Sequence, residues 1–386
     1  MFNTELGIFC STHDNWEELL TQEPYNFKIS EDGPYVVFKY NQISSDFTNP
    51  IVQEARGIIF RKGQWENPVC WAFNKFFNFG EEPAAELDWS TAFVSEKVDG
   101  SLIKVWFDEG HWHVSTNGTI DAFKAELGDI RMPNFGTYFN NTICDKYYRY
   151  FEDFTDNLFT DLTYMFELVG PYNRVVVPYE EPDIYFLGAR NKYTGEEFNC
   201  SAVVASALGM GRFKRPAQYS LSSLSDCIKA AELKSWDDEG FVVCDAQFNK
   251  VKIKSPAYVM AHYARNNNVI TRKHLLTIIL SNEVEEFLCY ASDYKEELEK
   301  VQNLMKAFCK VGDQIAKSCQ RLYDVSRRTY ANWVKTLPKI YQDLAFRNYN
   351  NIMSTKDYTA GWSENKWDSY LEGFEQLKKD LFMEEA

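Results

Sequence analysis

The chain has 386 residues, 45% hydrophobic and 25% charged, which suits a globular protein of two or three domains with a full core in each. Its formal charge of −15 disfavours a tight non-specific nucleic-acid binder, which needs lysine and arginine against phosphates. No apolar run reaches the ~18 residues that span a bilayer, and the opening MFNTELGIFCSTHDNW has no basic stretch of a secretory signal.

Nine scattered cysteines with no CxxC pair argue for reduced thiols in a cytoplasm and against a structural zinc site. The charge is uneven along the chain. From Arg265 onward 18 basic and 18 acidic side chains balance, so residues 1–264 hold the whole deficit. Any phosphate chemistry there needs a local cationic cluster inside an acidic shell.

In chain order, the sequence up to about residue 260 reads mostly as strands with short helical inserts. SEKVDGSL (residues 95–102) reads as strand, tight Asp-Gly turn and strand. LIKVWF and HWHVS, around Asp108-Glu109-Gly110, read as a hairpin with apolar alternation. His111 and His113 fall on one side of its second strand and read as surface histidines rather than metal ligands. Residues 146–160 read as a connecting helix. YMFELV, RVVVPY and DIYFLGAR read as strands, and GFVVCDAQFNKVKIK as a hairpin. After Ala257 no proline occurs until Pro338, and Tyr294, Leu298, Val301, Met305 and Phe308 step by four and three along one helical face. This segment reads as a separate helical domain, its boundary near residues 258–270.

Lys97, two residues before Asp99-Gly100, raises a choice between a solvated strand residue and a nucleophile presented by a turn. By average usage a KxDG arises by chance in roughly one chain in ten of this length. The partners decide it. EARGII (54–59) and NKFFNFGE (74–81) lie upstream; FELVGPYNRVV (166–176), DEGFVV (238–243) and KVKIKS (250–255) lie downstream. They supply Arg56, Lys75, Lys252 and Lys254 with the acids Glu167 and Glu239. Such a set serves nucleotidyl transfer through lysine, since cations and desolvation favour the neutral amine and offset a triphosphate, and a carboxylate can hold Mg²⁺. Lys252 and Lys254 alternate with Val251 and Ile253, so both leave one face of a strand.

KVDGSL, FELVGP, EGFVV and KIK, in that order, resemble the motifs of the covalent nucleotidyltransferase superfamily of DNA ligases, RNA ligases and capping enzymes. More narrowly, ARGIIF, NKFFNFGE, EKVDGSL, FELVGPYNRVVVPY and KIKSPAY resemble the bacteriophage RNA ligase 1 family from about Tyr40 to Tyr258. The resemblance implies an α+β fold, with an adenylylation domain over residues 1–262 built on antiparallel sheets with flanking helices. An all-α C-terminal domain over 263–386, concerned with RNA specificity, would follow.

It also implies roles. Lys97 would be adenylylated by ATP. Arg56 and Lys75 would contact nucleotide phosphates, Lys252 and Lys254 the α-phosphate and pyrophosphate, Glu167 the ribose, and Glu239 a metal, Mg²⁺ or Mn²⁺. Tyr40 stands where the family has a nucleotide-contacting tyrosine, and Tyr258 matches one after the last motif. Asn117, in STNGT, replaces a family lysine. Glu285 and Glu286 stand where the family carries an acidic pair, a second metal site to be set against a solvated helix face. The implied activity joins RNA 5′-phosphate and 3′-hydroxyl ends, those of cleaved tRNA included, by a monomer without a membrane partner. Its compartment would be the cytoplasm, that of the host if the chain is phage-encoded. The rivals are a nick-sealing RNA ligase, a DNA ligase or capping enzyme, and an inactive RNA-binding relative. Helical periodicity after residue 265 argues against the β-rich C-terminal domain of DNA ligases and capping enzymes.

Overall fold

A computed structural model describes residues 4–42, 44–264, 270–322, 324–349 and 353–384. Two compact units divide the chain, Met1–His262 and Tyr263–Ala386.

In the first unit, β1 (Lys28–Asp32), β2 (Tyr35–Lys39) and β3 (Arg56–Arg61) form an antiparallel sheet in that order. Then come β4 (Phe77–Asn78), β5 (Phe93–Glu96), β6 (Ser101–Asp108) and β7 (His111–Thr116), with the ribbon β8 (Glu126–Asp129) and β9 (Met132–Asn134). The last strands are β10 (Leu162–Val169), β11 (Asp183–Asn191), β12 (Glu197–Asn199), β13 (Gln218–Tyr219), β14 (Gly240–Cys244) and β15 (Lys250–Lys254). Two five-stranded sheets result, ordered β12-β11-β10-β6-β7 and β13-β5-β14-β15-β4. The named strands pair antiparallel except β15 with β4, which run parallel.

Period-two alternation gives each large sheet a greasy face and a working face. On β10, Tyr164, Phe166 and Leu168 pack with Phe139, Ile143 and Phe154 from the helices Phe135–Lys146 and Phe151–Thr155. Glu167, between two of them, faces the other way, into a cavity. On the second sheet Phe241, Val243, Val251 and Ile253 bury against Cys227 and Ala231 of the helix Leu224–Glu232. Their neighbours Val242, Lys250 and Lys252 line the same cavity as Glu167.

Four sequence expectations need correction. SEKVDGSL does not close a hairpin: β5 pairs with β13 and β14, β6 with β7 and β10, so the segment crosses from one sheet to the other. RVVVPY forms no strand, because the amides of Val176 and Val177 donate to Asp99 instead of to a ladder. Residues 146–160 hold no single helix; one helix ends at Lys146 and a short one, Phe151–Thr155, follows. His111 is exposed, but His113 is half-buried. Its ring stacks on Trp106 at 4.2 Å and meets Tyr35 edge-on. The LIKVWF/HWHVS hairpin does form, with Glu109 and Gly110 at its turn both at positive φ.

The described residues of the second unit form helices and no strand. The longest, Lys295–Gln320, buries Leu298, Val301 and Phe308 of the expected stripe; Met305 is half-buried, and Tyr294 lies in the turn before the helix, also half-buried. Phe308 stacks on Tyr341 at 4.9 Å and lies edge-on to Phe374. Ser326 caps the helix Arg327–Val334 by accepting from Thr329 N. Among the described residues no helix is long and apolar enough to cross a membrane.

Candidate active site

The working faces of the two large sheets enclose a cavity of about 280 Å³, lined among others by Arg56, Phe76, Lys97, Asn117, Glu167 and Lys252. Lys97 extends β5 by one residue, its amide donating to Gly240 O at 2.9 Å. Its ammonium meets Glu239 Oε1 at 2.7 Å, and Lys254 reaches the same oxygen at 3.7 Å. Glu239, almost wholly buried, therefore holds the nucleophile candidate in place.

The turn after Lys97 is tied down by a residue that sequence reasoning took only for a turn former. Asp99 is buried; its Oδ2 accepts from Val176 N at 2.9 Å and Val177 N at 2.8 Å, and its Oδ1 from the Tyr258 hydroxyl at 2.8 Å. Charge-assisted bonds of this kind are about twice as strong as neutral ones. Gly100 then passes so close to β10 that a Cβ there would lie 2.5 Å from Leu168 O. Tyr258 thus bonds to Asp99 and is not among the cavity's lining residues. The Asp-Gly pair was visible in the sequence, but Asp99's acceptors could not be, since their donors lie 77, 78 and 159 residues away.

Three more cations converge, each held by an aromatic face. Lys252 and Arg56 lie over the Phe76 ring at 5.1 and 5.2 Å. The Lys75 ammonium is surrounded by Tyr40, Phe47 and Phe77 at 5.3, 4.9 and 5.5 Å. Lys75 arrives beside Lys252 because the segment after it, Phe77–Asn78, pairs in parallel with Val251–Lys252. Burial, then the charges of Lys75, Lys254, Lys97 and Arg56, hold Lys252 well below the usual lysine range. Glu167 is pushed up to about 8, chiefly by burial; Glu239 and Asp99 add to this while Lys97 and Arg56 oppose it.

Two polar atoms of the cavity wall, Arg56 Nη1 and Asn117 Oδ1, are buried without a hydrogen-bond partner. They come from neighbouring backbones: Gly57, at φ +78°, lies so near the STNGT turn that a Cβ would sit 2.5 Å from Asn117 O. Behind them the buried Lys104 donates to Gly57 O, a support the sequence did not disclose. A second unforeseen support is Arg190, lying 3.6 Å over the Trp71 ring and donating to Ala72 O and Asn74 Oδ1 ahead of Lys75. Tyr40 lies in an adjoining cavity with Arg56 and Asn117. Glu285 and Glu286 belong to the other unit, in the first turn of the helix Val284–Tyr290, Glu285 exposed and Glu286 half-buried.

Comparison with known proteins bears on this cavity. A family model described as RNA ligase matches residues 54–258, which includes Arg56, Lys75, Lys97, Glu167, Glu239, Lys252 and Lys254. A candidate bifunctional polynucleotide kinase/RNA ligase of Autographa californica nuclear polyhedrosis virus is 28% identical over 327 residues, covering 81% of this chain but only 45% of that protein. An RNA ligase of Rhodothermus phage RM378 is 26% identical over 348 residues, covering 75% of this chain and 77% of the relative. Among solved structures, an archaeal ATP-dependent RNA ligase covers 75% of each chain at 15% identity, with a TM-score of 0.44. Since the family match takes in more than half of its residues, the chain belongs to the RNA ligase family.

Proposed function

We propose that the first unit is a nucleotidyltransferase and that the chain seals RNA at the expense of ATP through Lys97. The observation that carries this is the Lys97 ammonium on Glu239 Oε1, facing a cavity into which Arg56 and Lys252 also point. In the first step Lys97 Nζ, once neutral, attacks the α-phosphorus; the N–P bond forms and the bond to the β-phosphate oxygen breaks, that oxygen keeping the electron pair. In the second, AMP passes to an RNA 5′-phosphate, giving a 5′–5′ pyrophosphate end and regenerating Lys97. In the third, a 3′-hydroxyl attacks that end and AMP leaves. Each step is an in-line displacement in which the protein positions groups and offsets charge. Lys252 and Lys254 would hold the α-phosphate and pyrophosphate, Glu167 the ribose, and Tyr40 and Lys75 the nucleotide from one side.

Among the described residues no three His, Cys, Asp or Glu converge as a metal site. Glu239 is the carboxylate that would hold Mg²⁺ or Mn²⁺ jointly with the substrate phosphates. The ion would supply charge neutralisation at the leaving pyrophosphate. The proposed substrate is broken RNA with 5′-phosphate and 3′-hydroxyl ends, cleaved tRNA included.

Incubation with Mg²⁺ and ATP labelled at the α-phosphate, followed by a denaturing gel, tests the reading. The wild-type chain is expected to retain label and Lys97→Ala none; equal labelling of the two refutes it. Single-stranded RNA is expected to be sealed at least as well as a nicked duplex, and activity confined to the nick would indicate the nick-sealing type.

A further inference from the structure

Three cations stand on one rung of the three-stranded sheet. Lys28 on β1 is the register partner of Lys39 on β2, and Lys39 that of Arg56 on β3. Their side chains line a cavity of about 430 Å³ with Tyr40, Asn41, Gln42 and Asn117, and no carboxylate is among its lining residues. Among the described residues neither Lys28 nor Lys39 has an ion-pair partner, in a chain whose acids outnumber its bases by 15. Like charges directly opposite on neighbouring strands destabilise a sheet. A row of three, left open in an acidic protein, calls for an anion to lie across it.

The position of the row says which anion. Arg56 and Asn117 line both this cavity and the one containing Lys97, so the two adjoin at that pair. Arg56 Nη1, buried and unpaired, is a donor at the junction. The Lys39 ammonium lies along the Asn117-Gly118 turn, 3.5 Å from where a Cβ on Gly118 would be. A polyanion with one end at Lys97 and the other beyond Arg56 would touch every member of the row.

We propose that Lys28, Lys39 and Arg56 bind the distal phosphates of the triphosphate and hold the pyrophosphate as Lys97 displaces it. This rests on the ligase reading above. It assigns two lysines that no sequence motif singles out, and it makes the row a determinant of triphosphate use rather than of RNA binding.

The test compares wild type with Lys28→Ser/Lys39→Ser and with Lys39→Arg, all in the full chain. In the double variant kcat/KM for ATP in self-adenylylation is expected to fall on the order of tenfold or more, the scale of one or two charge-assisted bonds. Release of AMP from the adenylylated chain by added pyrophosphate falls with it. Calorimetric binding of inorganic pyrophosphate to the unreacted chain is lost, and sealing of pre-adenylylated RNA is unchanged. Lys39→Arg keeps the charge and stays within about threefold of wild type. Labelling and pyrophosphate binding unchanged in the double variant overturn the proposal. So does a loss confined to AMP transfer onto 5′-phosphorylated RNA, which would make the row an RNA 5′-phosphate site. Absence of label on the wild-type chain instead refutes the ligase reading itself.

Discussion

Glu167 shows what a single side chain gives up for the site. Its carboxyl is raised from an ordinary 4.5 to about 8, with burial the leading cause. The folded chain therefore holds this proton more tightly than the unfolded chain does. The stability it contributes is complete below about pH 4.5 and drains away as pH climbs toward 8. Glu167→Gln removes the titration. It is expected to stabilise the fold by about 1–3 kcal/mol at pH 8 and by little at pH 5, as read from denaturant midpoints at the two values. A variant that loses stability at both would show that the carboxylate is already compensated. The carboxylate of FELVGP was legible as a candidate from the motif; its weakened acidity was not, because that depends on which residues surround it.

At the scale of the element, the connection from Lys97 to Gly100 links two sheets and is fastened by the three bonds to Asp99. Asp99→Asn replaces an acceptor-only group by one that must turn an NH₂ toward a backbone amide or the Tyr258 hydroxyl. It is expected to cost about 2–3 kcal/mol and to slow self-adenylylation ten- to a hundredfold. Tyr258→Phe deletes one bond of the three, for about 1 kcal/mol, and labels nearly normally. Thermal unfolding together with the rate of label uptake checks both; a Tyr258→Phe variant as slow as Asp99→Asn would assign the tyrosine a direct part in the chemistry. Apolar patterning correctly marked YMFELV, DIYFLGAR and KVKIK as strands: KVKIK buries alternate residues, while YMFELV is buried on both faces apart from Glu167. It misread RVVVPY, whose valines look like a strand but whose amides serve a carboxylate. It also could not tell that the strands flanking Asp99-Gly100 join different sheets, because a turn signal does not name the partner strand.

For the molecule as a whole, the charge of −15 surrounds a cavity rich in cations, a contrast that local counting along the chain anticipated but could not locate. RNA ending in 5′-hydroxyl, which the cavity has no phosphate to engage, is expected to bind weakly and to lose affinity steeply between ~50 and ~200 mM salt. Tight binding that persists at high salt, measured by filter retention, would contradict a site-limited cationic surface. The order of the motifs told more about function than composition did, because Lys97, Glu239 and Lys252 are far apart in sequence and meaningful only as a set. Lys104, Arg190 and Lys39 stayed hidden for the opposite reason: each is a lone cation in an ordinary strand, and only the neighbour it meets gives it a role.

The way the cavity's cations are held has a further consequence. Lys75, Arg56 and Lys252 rest against ring faces, whose quadrupoles fix a cation's position while leaving its monopole intact. A carboxylate in the same place would cancel the field that an incoming polyphosphate is meant to feel. Lys97 is held differently, paired with Glu239 at 2.7 Å, and Lys254 reaches the same oxygen at 3.7 Å. The proposed nucleophile is thus electrically quiet at rest, while Lys75 and Arg56, held by rings, keep the field that their proposed phosphate contacts need.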